Sequence, residues 1–184
     1  VRKSPVMLSK RCEYSKIPLC VKFHKLITTS LYPREILFFM RVLMISKACL
    51  VGTYQTKLEA IAQHSGVTLG VIVPPSWRDP AGEIFFEHGH TEGYELWVDP
   101  IRFNGQFHFY YYPTLKRRLA EFQPDILHID EEPYNFATWL ALRAAKKQGV
   151  KTVFFTWQNL HRTYPPPFRW MERQVLQEAD YGIM

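Results

Sequence analysis

Asp125-Ile126-Leu127-His128-Ile129-Asp130-Glu131-Glu132-Pro133-Tyr134 and Lys151-Thr152-Val153-Phe154-Phe155-Thr156-Trp157-Gln158-Asn159 decide how this chain is read. Each begins with a short apolar run containing β-branched residues, the pattern of a strand buried on both faces of a parallel sheet. Between them Phe136, Trp139, Leu140, Leu142 and Ala144 recur at helical spacing, with Asn135 placed to cap the start and Gly149 to end the helix. Strand, crossover helix and strand in that order form a right-handed βαβ unit, and ligands on such sheets bind beyond the carboxyl ends of the strands. Those ends are Asp130-Glu131-Glu132 and Thr156-Trp157-Gln158-Asn159.

The same alternation extends outward in both directions. Arg41–Ser46 reads as a first strand, Lys47–Gly52 as a turn, Thr53–His64 as a helix with an apolar stripe of Leu58, Ile61 and Ala62, and Val67–Val73 as a second buried strand. From Ser76 to Asn104 only Tyr94-Glu95-Leu96-Trp97-Val98 alternates like a strand; Phe107–Tyr112 is strongly aromatic and expected to be extended. A helix from Pro113 to Phe122 follows, with Leu115 and Leu119 facing inward, and the chain closes on the apolar Tyr181–Met184. Alternating strands and helices with short connections predict an α/β fold, a doubly wound, mostly parallel Rossmann-like sheet with helices on both faces.

Charge divides the chain unevenly. The net charge is +6 over 184 residues, and residues 1–39 carry eight basic and two acidic groups, so they hold all of it. The remaining fifteen basic and fifteen acidic residues cancel, which removes the argument for a nucleic-acid partner. Residues 1–39 lack periodicity and are expected to be a disordered or non-native basic leader; Met40-Arg41-Val42-Leu43 reads as the natural start of a domain spanning 40–184. No apolar run approaches the length of a spanning helix, so a cytoplasmic protein is expected, with possible peripheral association at the inner face of a membrane. Cys12, Cys20 and Cys49 form no Cys-x-x-Cys pair and read as reduced thiols.

The turns carry the functional candidates. Gly52 is the single glycine of the loop after the first strand, where such folds approach phosphate; it serves equally well as a plain turn residue, and the absence of Gly-x-Gly-x-x-Gly counts against a dinucleotide enzyme. Asp130-Glu131-Glu132 could take a proton, bind hydroxyls or hold a divalent cation, or simply form a solvated acidic turn before a helix. Trp157, Gln158 and Asn159 offer an indole and two amides, which suit the apolar face and hydroxyls of a carbohydrate. Tyr164-Pro165-Pro166-Pro167-Phe168 forms either a stiff wall beside them or the first turn of a helix. Glu87-His88-Gly89-His90 has metal-ligand types but no distant third ligand, so no metal is expected there.

The block from His128 to Tyr134, with Phe154–Asn159, Tyr164–Trp170 and Ala179–Met184, resembles the amino-terminal domain of family 4 glycosyltransferases of the GT-B fold, over Met40–Met184. The resemblance implies one half of a two-domain enzyme, the acceptor-binding half, with the nucleotide-sugar half carboxyl-terminal to it and missing from this chain. It implies retaining transfer of a sugar from a nucleotide-sugar donor to a glycan, lipid-linked or small-molecule acceptor, with no cofactor beyond that co-substrate and no metal, and a fragment inactive alone. By the same resemblance Gly52 and Gln158 are donor-contacting, Gln158 standing where many members place a histidine. Glu131, Glu132, Tyr134, Trp157 and Asn159 fall on the acceptor side. No catalytic residue is assigned, because the family's glutamate pair belongs to the second domain. Two alternatives stand beside this expectation: a non-catalytic Rossmann-like binding module, and a metal-dependent transferase using Asp130-Glu131-Glu132.

Overall fold

The computed structural model describes residues 39–157 and 162–184. The expectations for the leader, and for Gln158 and Asn159, therefore lie outside the described residues. Strands β1 (Met40–Ile45), β2 (Val67–Val73), β5 (Glu95–Val98), β6 (Ile126–Ile129), β7 (Lys151–Phe155) and β8 (Tyr181–Ile183) form one sheet in the order β5-β2-β1-β6-β7-β8. Every pairing in it is parallel, as the continuous apolar runs imply.

Alternation along the strands sorts the core to two faces. Leu43 and Ile45 of β1, with Ile72, Leu127, Ile129 and Phe154, join one cluster, covered by α2 (Leu115–Phe122), α3 (Phe136–Lys147) and Val175 of α4 (Phe168–Glu178). Met44, Leu69, Val71 and Val73 point the other way, against Leu58, Ile61 and Ala62 of α1 (Gly52–Ala62). Helices on both faces of a parallel sheet are the doubly wound arrangement expected from the sequence. Among the described residues, no helix is long and apolar enough to cross a membrane.

Several elements depart from the sequence reading. Ser76–Asp79 (β3) and Gly82–Phe85 (β4) form an antiparallel hairpin outside the main sheet, closed by the Asp79-Pro80-Ala81-Gly82 turn with Gly82 at a φ of 150°. The hairpin was not expected because its outer strand is exposed throughout and has no buried alternation to reveal it. Phe107–Tyr112 is not extended: turns occupy 107–109, and Tyr111 makes a single antiparallel bridge to Arg102. Burial decides this, since Tyr110 and Tyr112 sink into the core as anchors for a loop crossing the strand ends. Ala48–Leu50 forms a 3-10 turn within the first loop. Asn135 is the residue before α3, but its side chain does not cap the helix; its Nδ2 donates to Tyr110 Oη at 3.4 Å instead. Pro167 occupies the corresponding position before α4, so the proline run is a helix start, with the Pro166–Pro167 bond cis.

Candidate functional site

Parallel ladders deliver the candidate turns to one edge. Ser46 N donates to Ile72 O, Asp130 N to Ile45 O, Thr156 N to Ile183 O and Asp99 N to Val73 O, so the residues leaving β1, β6, β7 and β5 stay in register with their neighbours. Each acidic residue after β6 then turns to a different set of partners. Asp130 Oδ2 accepts from Ser46 Oγ and from Lys57 Nζ of α1, both at 2.6 Å. Glu131 points inward, 6% exposed: Oε1 accepts from Tyr112 Oη at 2.7 Å and Lys47 N at 2.8 Å, and Oε2 accepts from Tyr110 Oη. Glu132 bridges to the next strand end, its Oε2 accepting from Thr156 Oγ1 at 2.5 Å and its Oε1 from Trp157 N at 3.0 Å.

The three carboxylates therefore diverge, and no group of three His, Cys, Asp or Glu among the described residues could hold a metal ion. Glu131 ties the aromatic loop to the ends of β1 and β6. Burial pushes its carboxyl pKa up, opposed by the Lys47 charge and by the hydrogen bonds from Tyr110 and Tyr112. Burial likewise raises both tyrosines well above their ordinary range, Glu131 adding to it, so they remain donors. His128 lies on the α1 side of β6, where burial lowers its pKa and the neighbouring Asp130 opposes.

Aromatic rings flank this edge. Tyr134, 8% exposed, stacks on Tyr164 with ring centroids 4.1 Å apart, and its pKa is raised first by burial and then by the Tyr164 hydrogen bond. His108 sits among Phe168, Tyr134 and Tyr164, and its buried Nδ1 has no partner among the described residues. Trp157 is 75% exposed, braced on one side by Phe155. Of the residues singled out in the sequence, Glu131, Glu132, Tyr134 and Trp157 are thus brought to one edge, with Glu131 and Tyr134 buried and Trp157 open.

Gly52 lies apart from them, at the start of α1. Its N–H donates to Glu87 Oε2 at 2.6 Å, so a carboxylate of the chain itself stands at the helix end. A side chain at Gly52 would come within 3.1 Å of that oxygen, and one at Gly89 within 3.0 Å of Gly52 Cα, so both glycines serve close backbone approach. Gln55 fastens the strap: Nε2 donates to the carbonyls of Cys49 and Glu87, and Oε1 accepts from Gly89 N and His90 N. His90 and Glu92 are held in turn by Glu59. The Glu87-His88-Gly89-His90 motif is therefore an α1 fastening.

Sequence reasoning placed Lys47 in the first loop but gave it no role, and it missed Glu87 and Gln55 as neighbours of that loop and Tyr110 and Tyr112 as partners of Glu131. The tyrosines were visible only as part of an aromatic run, and a contact across 19 or 21 residues leaves no periodic trace.

Comparison with known proteins adds three findings. A family model described as a glycosyl transferase 4-like domain matches residues 51–183. Among solved structures, UDP-GlcNAc 2-epimerase from Neisseria meningitidis bound to UDP-GlcNAc aligns with a TM-score of 0.45 at 16% identity, covering 76% of this chain and 39% of that one. No curated protein matches.

Proposed function

The chain belongs to the family of glycosyl transferase 4-like domains, and from that premise we propose that it is the acceptor-side, amino-terminal domain of a retaining glycosyltransferase. The whole protein would move a sugar from a nucleotide-sugar to a carbohydrate or lipid-linked acceptor. The observation that supports the acceptor role is the edge formed by β6 and β7. Trp157 is an open stacking surface whose backbone is anchored to Glu132, and Tyr134, which follows Glu132 in the same turn, stacks on Tyr164.

In this proposal the indole of Trp157 packs on the apolar face of an acceptor sugar, and Glu132 accepts hydrogen bonds from its hydroxyls. Glu131 and Tyr134 act behind them, Glu131 as a positioning residue that ties the crossing loop to the strand ends. Gln158 and Asn159 would supply amide hydrogen bonds, Gln158 to the donor sugar and Asn159 to the acceptor. Gly52 can offer its N–H to a donor phosphate only when Glu87 gives it up. The nucleotide-sugar would rest chiefly on a facing domain of the whole protein, and no metal or other cofactor is invoked.

The test is nucleoside diphosphate release by the whole protein from a panel of nucleotide-sugars, with oligosaccharide and lipid-linked acceptors supplied. Release that depends on an acceptor and survives a chelator is expected. No release from any donor would sink the proposal. W157A should raise the KM for acceptor by about tenfold, the loss of one sugar-stacking contact, while leaving the melting temperature unchanged.

A further inference from the structure

The sheet reverses direction of growth between β1 and β6: the chain runs from β1 to β2 and β5 on one side, and from β6 to β7 and β8 on the other. Loops leaving the carboxyl ends of these two strands part company, and the crevice between them is where ligands of doubly wound sheets lie. Lys47 opens the β1 loop at this point, and Asp130-Glu131-Glu132 opens the β6 loop.

Two groups near this crevice could receive an anion, and one is already engaged. The N-terminus of α1 has Glu87 Oε2 on Gly52 N, and Gln55 holds the strap that carries Glu87. The Lys47 ammonium is differently placed. It lies over Trp77, Phe107 and Tyr110, at 4.5, 5.0 and 5.7 Å from the ring centroids, and among the described residues it makes no ion pair or conventional hydrogen bond. The neighbouring carboxylates have other contacts. Asp130 is paired with Lys57, and Glu131, though it feels the Lys47 charge, accepts from two tyrosine hydroxyls and from the Lys47 backbone instead. Ring faces fix the position of an ammonium without satisfying its N–H donors. A half-buried cation laid on ring faces at the switch point, with N–H donors unused among the described residues, is suited to a charged oxygen from outside the chain.

We propose that Lys47 is the residue that binds the anionic group, phosphate or carboxylate, of the sugar substrate, in place of the α1 N-terminus. The inference rests on the glycosyl-transfer reading for the word sugar, and on the geometry alone for the anion. The anionic group belongs either to the donor diphosphate or to a charged acceptor sugar, and the choice of probes separates the two.

Calorimetry on the full 184-residue chain at low salt tests it. Pyrophosphate and UDP represent the donor, a hexose 6-phosphate and glucuronate represent a charged acceptor, and a neutral oligosaccharide serves as control. K47M keeps the stem on the aromatic rings and removes the charge; K47R restores it. At least one anionic probe should bind the parent and weaken by about tenfold or more in K47M, with recovery in K47R, as the loss of one charge-assisted contact requires. Oligosaccharide affinity should not move. As a check that needs no variant, the side-chain NMR signal of Lys47 should shift when the bound anion is added to the parent chain. Equal anion affinity in K47M and parent, binding of no anionic probe, or a Lys47 signal that stays fixed would each overturn the proposal. If Lys47-dependent anion binding persists while no donor releases nucleoside diphosphate, the glycosyl-transfer reading falls and this one stands.

Discussion

Asp99 and Glu131 are both buried carboxylates, and their surroundings make them respond oppositely to pH. Asp99 accepts from Arg118 Nε and Nη2, each at 2.8 Å, and from Thr114 Oγ1 at 2.7 Å. The Arg118 bonds hold its pKa below the ordinary carboxylate value of 3.8, against the opposing effect of burial. A lowered folded-state pKa contributes stability that is present above the unfolded value and is lost as pH falls through the folded one. D99N should therefore destabilise the chain by about 2 kcal/mol at neutral pH. The deficit should shrink below pH 3.8, which denaturant unfolding at several pH values will show. Glu131 is the reverse case. Burial raises its pKa above 4.5, so its contribution is full below that value and is lost as pH rises through the folded pKa. E131Q does not titrate, and its stability relative to the parent should climb across that window and then level off. E131A should cost about 2 kcal/mol below pH 4.5, because the hydroxyls of Tyr110 and Tyr112 lose their acceptor, and its deficit should shrink across the same window as pH rises. None of this was readable from the acidic triplet itself. Three adjacent carboxylates look alike in sequence, and only their distant partners separate a clamp for α1, a clamp for a loop and a bridge between strand ends.

At the scale of elements, periodicity carried most of the information. β1, β2, β6 and β7 were legible because burial on both faces demands unbroken apolar runs, and α2 was legible because Leu115, Leu119 and Phe122 recur on one face. The hairpin β3–β4 was not, since its outer strand buries nothing. β2 also contains a glycine whose purpose appears only in the packing: a side chain at Gly70 would meet the Trp97 ring at 2.7 Å and Phe122 at 3.0 Å. Those two rings are themselves in edge-to-face contact at 5.6 Å. G70A should accordingly destabilise the fold by about 2 kcal/mol through overpacking, measured as a lower denaturation midpoint with an unchanged m-value. An unchanged midpoint would mean that the Trp97 ring can move aside at little cost.

For the molecule as a whole, the sheet order makes β1 and β6 the central strands, with both faces of β1 committed to separate core clusters. Hydrogen exchange should find the amides of β1 and β6 protected to the level of global unfolding, and those of β3–β4 exchanging through a much smaller local opening. Equal protection of the hairpin and β1 would contradict this ranking. The sequence by itself determined the alternation of strands and helices, the parallel sheet, the family resemblance and the turns that reach the carboxyl-terminal edge of the sheet. All of these follow from local periodicity and from the rule that ligands meet parallel strands at their carboxyl ends. Tertiary structure alone decided which turn residues face outward. Glu131 is drawn inside by two tyrosines, Glu87 stands at the helix end that Gly52 was expected to offer to phosphate, and the Lys47 ammonium rests on aromatic rings with no ion pair among the described residues. Those outcomes depend on contacts between residues far apart in the chain, and the hydrogen-bonding and charge balance that selects them exists only once the chain has folded.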